Sequence, residues 1–129
     1  MKLAIVLSTH AAQFQAVAFK GDFQANVARI ASYGYDGVEL AIRDPKLVDA
    51  DELEAVVKSH GLEVPAIGTG QAWGEEGLSF TSDDPEVRHA AIERIKNHVP
   101  LAQRFGATII LGLIRGITPQ GQSPEQSMA

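Results

Sequence analysis

Glu39 is the residue whose position points most directly to chemistry, because it is an acidic side chain within the apolar segment Val38-Glu39-Leu40. In an extended strand, alternation sends Val38 and Leu40 to one face and Glu39 to the other. A carboxylate inside a parallel sheet is costly unless it is paired or hydrogen-bonded. Two interpretations therefore stay open: a structural ion pair with Lys2 or Arg43, or a carboxylate that faces a substrate.

Several common catalytic patterns are missing from the sequence. There is no cysteine, which excludes disulfides, thiolate metal sites and cysteine nucleophiles. His89 and His98 are nine positions apart on one predicted helix rather than three or four, so they do not form a helical pair of metal ligands. No G-x-G-x-x-G or Walker sequence occurs, and the glycine-rich segment Gly68–Gly74 has the wrong spacing for a phosphate cradle. We also expect a long loop to separate that segment from the next helix.

Composition limits the classes of protein to which the chain can belong. Its 129 residues suffice for one domain. Hydrophobic residues make up 45% of the chain and charged residues 21%, a composition that is typical of a globular protein. A net charge of −5 argues against nucleic-acid and membrane partners, since both need clustered Lys and Arg. The apolar run Leu3–Leu7 is too short for a signal sequence or a membrane span. We therefore expect a cytoplasmic protein.

Apolar and amphipathic segments alternate along the chain in the order β-α-β-α-β-α-β. Four segments are typical of buried strands, at residues 2–8, 37–42, 63–68 and 108–114. Three are typical of helices: residues 22–33, a segment capped by Asp49 that ends at Gly61, and a longer one from Asp84-Pro85 to Gly106. Pro100 would kink the third helix, and residues 69–81 are predicted to be a loop.

Strands separated by helices pair in parallel through right-handed crossovers, which predicts an α/β fold. The sheet could be doubly wound or could belong to a β/α barrel. The position of Glu39 favours the barrel, because functional polar groups gather at the carboxyl-terminal mouth of a barrel.

Three stretches carry a resemblance to a known family: SYGYDGVELAIRDP, HGLEVPAIGTGQAWGEEGLSFTSDDPEVR and RFGATIILGLIRG. They resemble the first half of the sugar phosphate isomerase/epimerase family, which has the xylose isomerase-like TIM-barrel fold, and within it the keto-sugar-acid and ketohexose epimerases most closely. The resemblance runs from Lys2 to about Met128. It implies the N-terminal half, (β/α)4, of a TIM barrel, with four parallel strands and three helices. Residues 1–129 would form one partial domain, truncated in the fourth helix.

The resemblance also implies an activity. Members of the family bind a divalent metal, commonly Mn²⁺, through two Glu, an Asp and a His or Gln on later strands. The two Glu residues move the proton next to a carbonyl through an enediolate. Those positions would lie beyond residue 129. The resemblance thus implies an inactive N-terminal fragment with no metal of its own, from an enzyme that acts on a keto-sugar or a sugar acid.

In the family fold, the loops after the strands form the mouth of the site. The resemblance therefore implies substrate contacts from His10, Glu39, Thr69, Gln71 and Arg115. The Gln71 amide offers both a donor and an acceptor, and the Arg115 guanidinium matches a carboxylate or a phosphate. Each also has a structural interpretation, such as a surface histidine or a salt bridge to an acidic loop.

Further expectations concern the rim and the partners. Trp73 and the apolar residues Phe14, Val17 and Phe19 could cover the pocket. Segment 108–114 is apolar on both faces, as is typical of a strand with a neighbour on each edge. A half barrel would leave that edge open, so a homodimer that pairs through strand edges is one alternative function. An endonuclease IV-like repair enzyme is another, against which Gln71 and the acidic charge balance argue.

Overall fold

The computed structural model describes residues 1–10, 22–118 and 121–128, with residues 127 and 128 described by their backbone alone. One sheet contains four strands: β1 (Ala4–Ser8), β2 (Gly37–Ala41), β3 (Ala66–Gly68) and β4 (Thr108–Ile110). They are all parallel and lie in the order β1-β2-β3-β4. Sequential order is that of a barrel, whereas a doubly wound sheet reverses its order at a switch point. The predicted α/β fold with four parallel strands is confirmed.

The described residues contain five α-helices: α1 (Phe23–Ser32), α2 (Ala50–Ser59), α3 (Gly70–Glu76), α4 (Pro85–Phe105) and α5 (Pro124–Met128). The prediction of three helices is therefore wrong in number, although α5 lies where the sequence indicates a further helix. Helix α3 lies in a segment that the sequence predicts to be a loop. Seven residues are too few for an isolated helix, so its stability depends on tertiary contacts that local periodicity does not reveal.

Acidic residues begin the longer helices, as predicted for α2 and α4; the cap of α1 was not predicted. The side chains of Asp22, Asp49 and Asp84 accept hydrogen bonds from backbone N–H groups in the first turns of α1, α2 and α4. These N–H groups have no acceptor within the helix, so each carboxylate provides the acceptor that water would otherwise supply. Helix α4 continues through the exposed Pro100 and ends at Gly106, whose φ of 63° is left-handed.

Strand β4 is shorter than the predicted segment 108–114. It ends at Ile110, and residues Gly112–Arg115 form a 3-10 turn. Gly112 has a φ of 49°, which turns the chain away from the extended conformation. Strand β3 likewise begins later than predicted, just after Pro65, which has no N–H group to donate to the ladder.

The two faces of the sheet differ in their environment. One face packs against the helices to form the main core, and its largest fully buried side chains include Leu7, Leu40, Ile42 and Ile67. Glu39 lies on the opposite face, paired in register with Val6. The predicted alternation around Glu39 is confirmed.

A second, smaller core holds α3 in place. Ala72 of α3, Ala91 of α4, Ile114 of the 3-10 turn and Leu78 are buried together. The backbone N–H of Phe80 donates to the Ile114 carbonyl at 2.9 Å. This core joins the segments that follow β3 and β4 to α4. Within the part of the chain that the structure describes, no helix is both long and apolar enough to cross a membrane.

Candidate functional site

A cavity of about 160 Å³ lies at the carboxyl ends of β2, β3 and β4. Its lining includes Glu39, Thr69 and Gln71, three of the five predicted contact residues. Apolar and glycine residues complete the wall, namely Val6, Ala41, Gly68, Gly70, Ile110, Gly112 and Leu113. The parallel order of the strands brings these residues together, because all carboxyl ends meet at one edge of the sheet.

Glu39 is half-buried and forms no ion pair with any residue that the structure describes. Lys2 contacts Glu63 instead, with 2.6 Å between Nζ and Oε1, and Arg43 contacts Glu75 at 3.3 Å. The interpretation of Glu39 as a structural partner of Lys2 or Arg43 is therefore wrong. A Cβ placed on Gly68 would lie 3.3 Å from Oε1 of Glu39, so the carboxylate lies over a backbone position without a side chain.

Gln71 is held by a buried hydrogen-bond chain. Gln71 is only 2% exposed, and its side-chain Nε2 donates a hydrogen bond to Oγ of Ser8 at 2.8 Å. Ser8 in turn donates to the backbone carbonyl of His10 at 2.7 Å. One of the two N–H groups of the Gln71 amide is thus used, and no described residue donates a hydrogen bond to its Oε1. Sequence reasoning missed Ser8, whose only signal is a small hydroxyl at the end of a buried strand.

Thr69 connects the ends of two strands. Its hydroxyl is fully buried and lies 2.8 Å from the Ile110 carbonyl and 3.1 Å from the Leu111 carbonyl, both of which can accept its hydrogen. The backbone N–H of Thr69 also donates to the Ile110 carbonyl. Thr69 therefore holds β3 against β4 beneath the cavity. Its predicted contact with a substrate stays a prediction.

The other two predicted contact residues lie elsewhere. His10 lines a different cavity, of about 190 Å³, with Phe23, Leu47 and residues of α2. Arg115 lines a third one, of about 820 Å³, with Arg88. The structure therefore does not bring all five residues into one site. Trp73 lies half-buried on α3. The predicted apolar lid of Phe14, Val17 and Phe19 lies outside the described residues.

Helix α3 begins at Gly70, directly after β3, so the expectation of a long intervening loop is wrong. Arg94 of α4 holds this helix by donating to both carboxylate oxygens of Glu76, at 2.6 and 2.9 Å. The same guanidinium donates to the Arg43 carbonyl at 2.8 Å. The Arg94 hydrogen bonds keep the pKa of Glu76 below its usual value, and Glu76 raises the pKa of Arg94. This clamp positions Gln71 at the cavity.

His98 of α4 is a buried titratable residue that sequence reasoning missed. It is fully buried, and neither ring nitrogen has a hydrogen-bond partner among the described residues. Burial lowers its pKa to about 4, the charge of Arg94 acts in the same direction, and Asp44 opposes them. A signal was present, because His98 lies seven residues after the buried Ala91, on the same helix face.

The described residues do not fit a metal centre. No three or more of their His, Asp and Glu side chains lie close enough together to hold an ion. Among the described residues, Glu39 is the sole carboxylate in the lining of the first cavity. This donor set suits hydroxyl groups, whose hydrogens a carboxylate and an amide oxygen can accept.

Comparisons with known proteins place this geometry in a family. No curated protein matches the chain. Among solved structures, it is similar to an AP endonuclease, family 2, from Brucella melitensis, with a TM-score of 0.57 and 15% sequence identity. The match covers 84% of this chain and 40% of that protein, and at this identity it shows the fold alone.

A family-level comparison matches residues 27–129 to the xylose isomerase-like TIM barrel. That family includes sugar isomerases and epimerases as well as endonuclease IV-like enzymes. The four sequential parallel strands, with polar side chains at their carboxyl ends, agree with part of such a barrel. The chain belongs to the xylose isomerase-like TIM-barrel family.

Proposed function

We propose that the chain supplies the substrate-positioning part of a sugar or sugar-phosphate isomerase or epimerase. The observation that carries the proposal is the meeting of Glu39 and Gln71 in one cavity at the strand ends. The Glu39 carboxylate has no cationic partner among the described residues, and Oε1 of Gln71 has no donor there. Both oxygens can accept hydrogen bonds from the hydroxyl groups of a sugar.

The proposed reaction moves a proton at the carbon next to a carbonyl, through an enediolate. In it, Glu39 and Gln71 hold substrate hydroxyls, while Ser8 fixes the Gln71 amide in one orientation. Thr69 keeps the ends of β3 and β4 together. The cavity lining supports positioning rather than proton transfer, because it contains one carboxylate among the residues that the structure describes.

We also propose that the reaction uses a divalent metal, Mn²⁺, and an acid–base pair of Glu residues, neither of which the described residues of this chain supply. The described donor set does not fit a metal, and we assign no step to one here. We propose a keto-sugar or a sugar acid as substrate and a cytoplasmic location, without nucleic-acid or membrane partners. The net charge of −5 and the lack of cysteine support these choices.

An NMR titration tests the proposed substrate class. We expect D-fructose or a keto-hexuronic acid to shift the backbone amides of Gly68 and Gly70 saturably. Glu39→Gln and Gln71→Ala should each weaken binding about tenfold, because each removes a hydrogen-bond acceptor from the site. Glu86→Gln, an exposed carboxylate on α4, is the matched control and should leave binding unchanged. Sugar shifts that persist unaltered in both site variants would contradict the proposal.

An endonuclease IV-like activity is the second candidate, favoured by the similarity in fold to an AP endonuclease. The cavity lining speaks against it, because its described residues include no Lys or Arg for a phosphate backbone. A duplex with one abasic site, added in the same titration, decides between them. Binding of that duplex at Gly68 and Gly70, without sugar binding, would replace the isomerase proposal by this one.

A homodimer through strand edges is a third candidate. Among the described strands, β1 and β4 each pair with a single neighbour, and Ile110, Leu111 and Leu113 are 38–41% exposed. Two such sheets, with β4 of one copy beside β1 of the other, would close an eight-stranded barrel. Light scattering tests this arrangement: we expect a dimer that Leu111→Asp converts to monomer. A wild-type monomer at all concentrations would exclude it.

A further inference from the structure

We propose that the third cavity is a separate oxyanion site, in which Arg115 and Arg88 bind the phosphate or carboxylate group of a small acidic molecule. The site goes beyond the proposed function, because one molecule need not occupy both cavities. It lies at the other end of the same 3-10 turn: Gly112 and Leu113 line the first cavity, and Arg115 lines this one. The fully buried Ile114 lies between them in the chain.

Three segments of the chain form this site. The cavity of about 820 Å³ is lined mainly by polar residues, among them Thr81, Ser82, Arg88, Arg115, Gln122 and Gln126. The hydroxyl of Ser82 and the amides of the two glutamines can donate hydrogen bonds to an oxyanion. The lining therefore offers neutral donors beside the two guanidinium groups.

The walls are held together before any ligand binds. The Thr81 hydroxyl donates to the Ile117 carbonyl at 3.0 Å. Gly116 has a φ of 89°, and a Cβ there would lie 2.0 Å from Oγ1 of Thr81 and 2.3 Å from Oγ of Ser79. Only glycine allows the turn to approach these hydroxyls so closely. A preorganised wall reduces the entropy that ligand binding costs.

The guanidinium groups of this site differ from others in the protein. Arg94 and Arg104 contact carboxylates, which neutralise their charge locally. Arg88 instead donates to the Ser82 carbonyl at 2.6 Å, which orients the side chain and leaves its charge uncompensated. The guanidinium group of Arg115 forms no hydrogen bond or ion pair with a described residue. Unpaired guanidinium groups in a cavity match the geometry of phosphate and carboxylate.

One acidic side chain, Asp83, also lines the cavity and opposes anion binding. The charges of two arginines and one aspartate leave a net positive charge of one in the lining, which suits one small anion. A nucleic acid needs a longer row of cations, and the chain as a whole carries a net charge of −5. The chemistry of the site therefore favours a small acidic molecule over a polynucleotide.

Titration with inorganic phosphate at constant ionic strength tests the site. We expect saturable NMR shifts of the Gly116 and Ile117 amides, which Arg115→Gln weakens at least about tenfold. Arg115→Lys keeps the charge without the planar fork and should give an intermediate affinity. Asp83→Asn should tighten binding, because it removes a repulsive charge. Arg29→Gln, an exposed arginine on α1, is the matched control and should change nothing.

Gluconate in place of phosphate separates a carboxylate ligand from a phosphate ligand, and saturable binding of either supports the site. Shifts that do not saturate, that survive unchanged in Arg115→Gln, or that a DNA duplex produces at lower concentration than phosphate would overturn it. The amides of Gly68 and Gly70 report on the first cavity independently. Failure of the anion site and failure of the proposed sugar site are therefore distinguishable.

Discussion

At the residue scale, His98 illustrates how burial governs acid–base behaviour. Its ring is enclosed by the protein, and neither nitrogen has a partner among the described residues. Protonation would place a charge in that environment, next to the cation of Arg94. The neutral form is therefore the one that the folded state accepts.

We predict that His98 makes the protein less stable as pH falls from about 6.5 to 4. Its pKa is about 4 when folded against 6.5 when unfolded, so the unfolded chain binds the proton first in that window. The loss is at most about 3 kcal/mol in the free energy of unfolding. Urea unfolding at pH 7 and pH 4.5 measures it. His98→Leu should remove this part of the pH dependence, and His89→Leu, on the exposed side of α4, should keep it.

Gly116 gives a second prediction at this scale. Gly116→Ala combines a left-handed φ with a clash against the hydroxyls of Thr81 and Ser79. Gly77→Ala, at φ 70° and ψ 16° with nothing within 4 Å of the new Cβ, measures the ordinary cost of a left-handed residue, about 1–2 kcal/mol, whereas Gly116 lies at φ 89° and ψ −176°, a conformation that is nearly confined to glycine. We expect Gly116→Ala to cost roughly 1–3 kcal/mol more, as overpacking does. Equal unfolding midpoints for the two variants would contradict this account.

At the scale of elements, α3 depends on its neighbours more than on its own sequence. Its core contacts reach α4 and the 3-10 turn, and Arg94 connects it to α4 by two hydrogen bonds to Glu76. Helix α3 also carries Gln71 to the cavity. Loss of the clamp should therefore affect both stability and the site.

We predict that Arg94→Met lowers the free energy of unfolding by about 1.5–3 kcal/mol, because the side chain is 12% exposed and its hydrogen bonds are charge-assisted. Lys96→Met breaks an exposed pair with Glu93 on the same helix and should cost about 0–0.5 kcal/mol. Chemical denaturation measures both. The Arg94→Met variant should also lose less stability in acid. In the wild type, Arg94 lowers the folded-state pKa of Glu76, so Glu76 stabilises the fold above its unfolded pKa and loses this contribution as pH falls through its folded pKa. The variant has no such contribution to lose.

At the scale of the whole molecule, one face of the described sheet packs against helices and the other lines the first cavity. The helices and their core cover one side, whereas Glu39 and Ile110 lie on the other. In a closed barrel this second face would be the interior, packed by opposite strands. The chain spans 40% of the length of the AP endonuclease to which it is similar.

We predict that the purified chain does not epimerise a ketose or a keto-sugar acid when Mn²⁺ is added. Proton transfer next to a carbonyl needs an acid–base pair, and Glu39 is the one carboxylate that the described part of the chain contributes to the lining of the first cavity. Hydrogen–deuterium exchange at the carbon next to the carbonyl, followed by NMR in D₂O, is the measurement. Exchange that requires both the protein and Mn²⁺ would contradict the prediction.

Local patterns accounted for much of the fold. The caps at Asp49 and Asp84 could be predicted because they involve neighbouring residues alone, and the face of Glu39 follows from strand alternation. The end of β4 could not be predicted, because an apolar run does not reveal where the chain leaves a sheet. Burial of His98 was also missed, because helix periodicity alone does not reveal which packing partners enclose a residue.

The sequence by itself determined the order of the four strands and of the three longer helices, the family and the side of the sheet on which Glu39 lies, because these depend on periodicity and on local motifs. The tertiary structure alone decided that Gln71 joins Glu39 while His10 and Arg115 lie in other cavities. It also decided that Glu39 has no described ionic partner. These outcomes depend on contacts between residues far apart in the chain, which strand pairing and helix packing bring together.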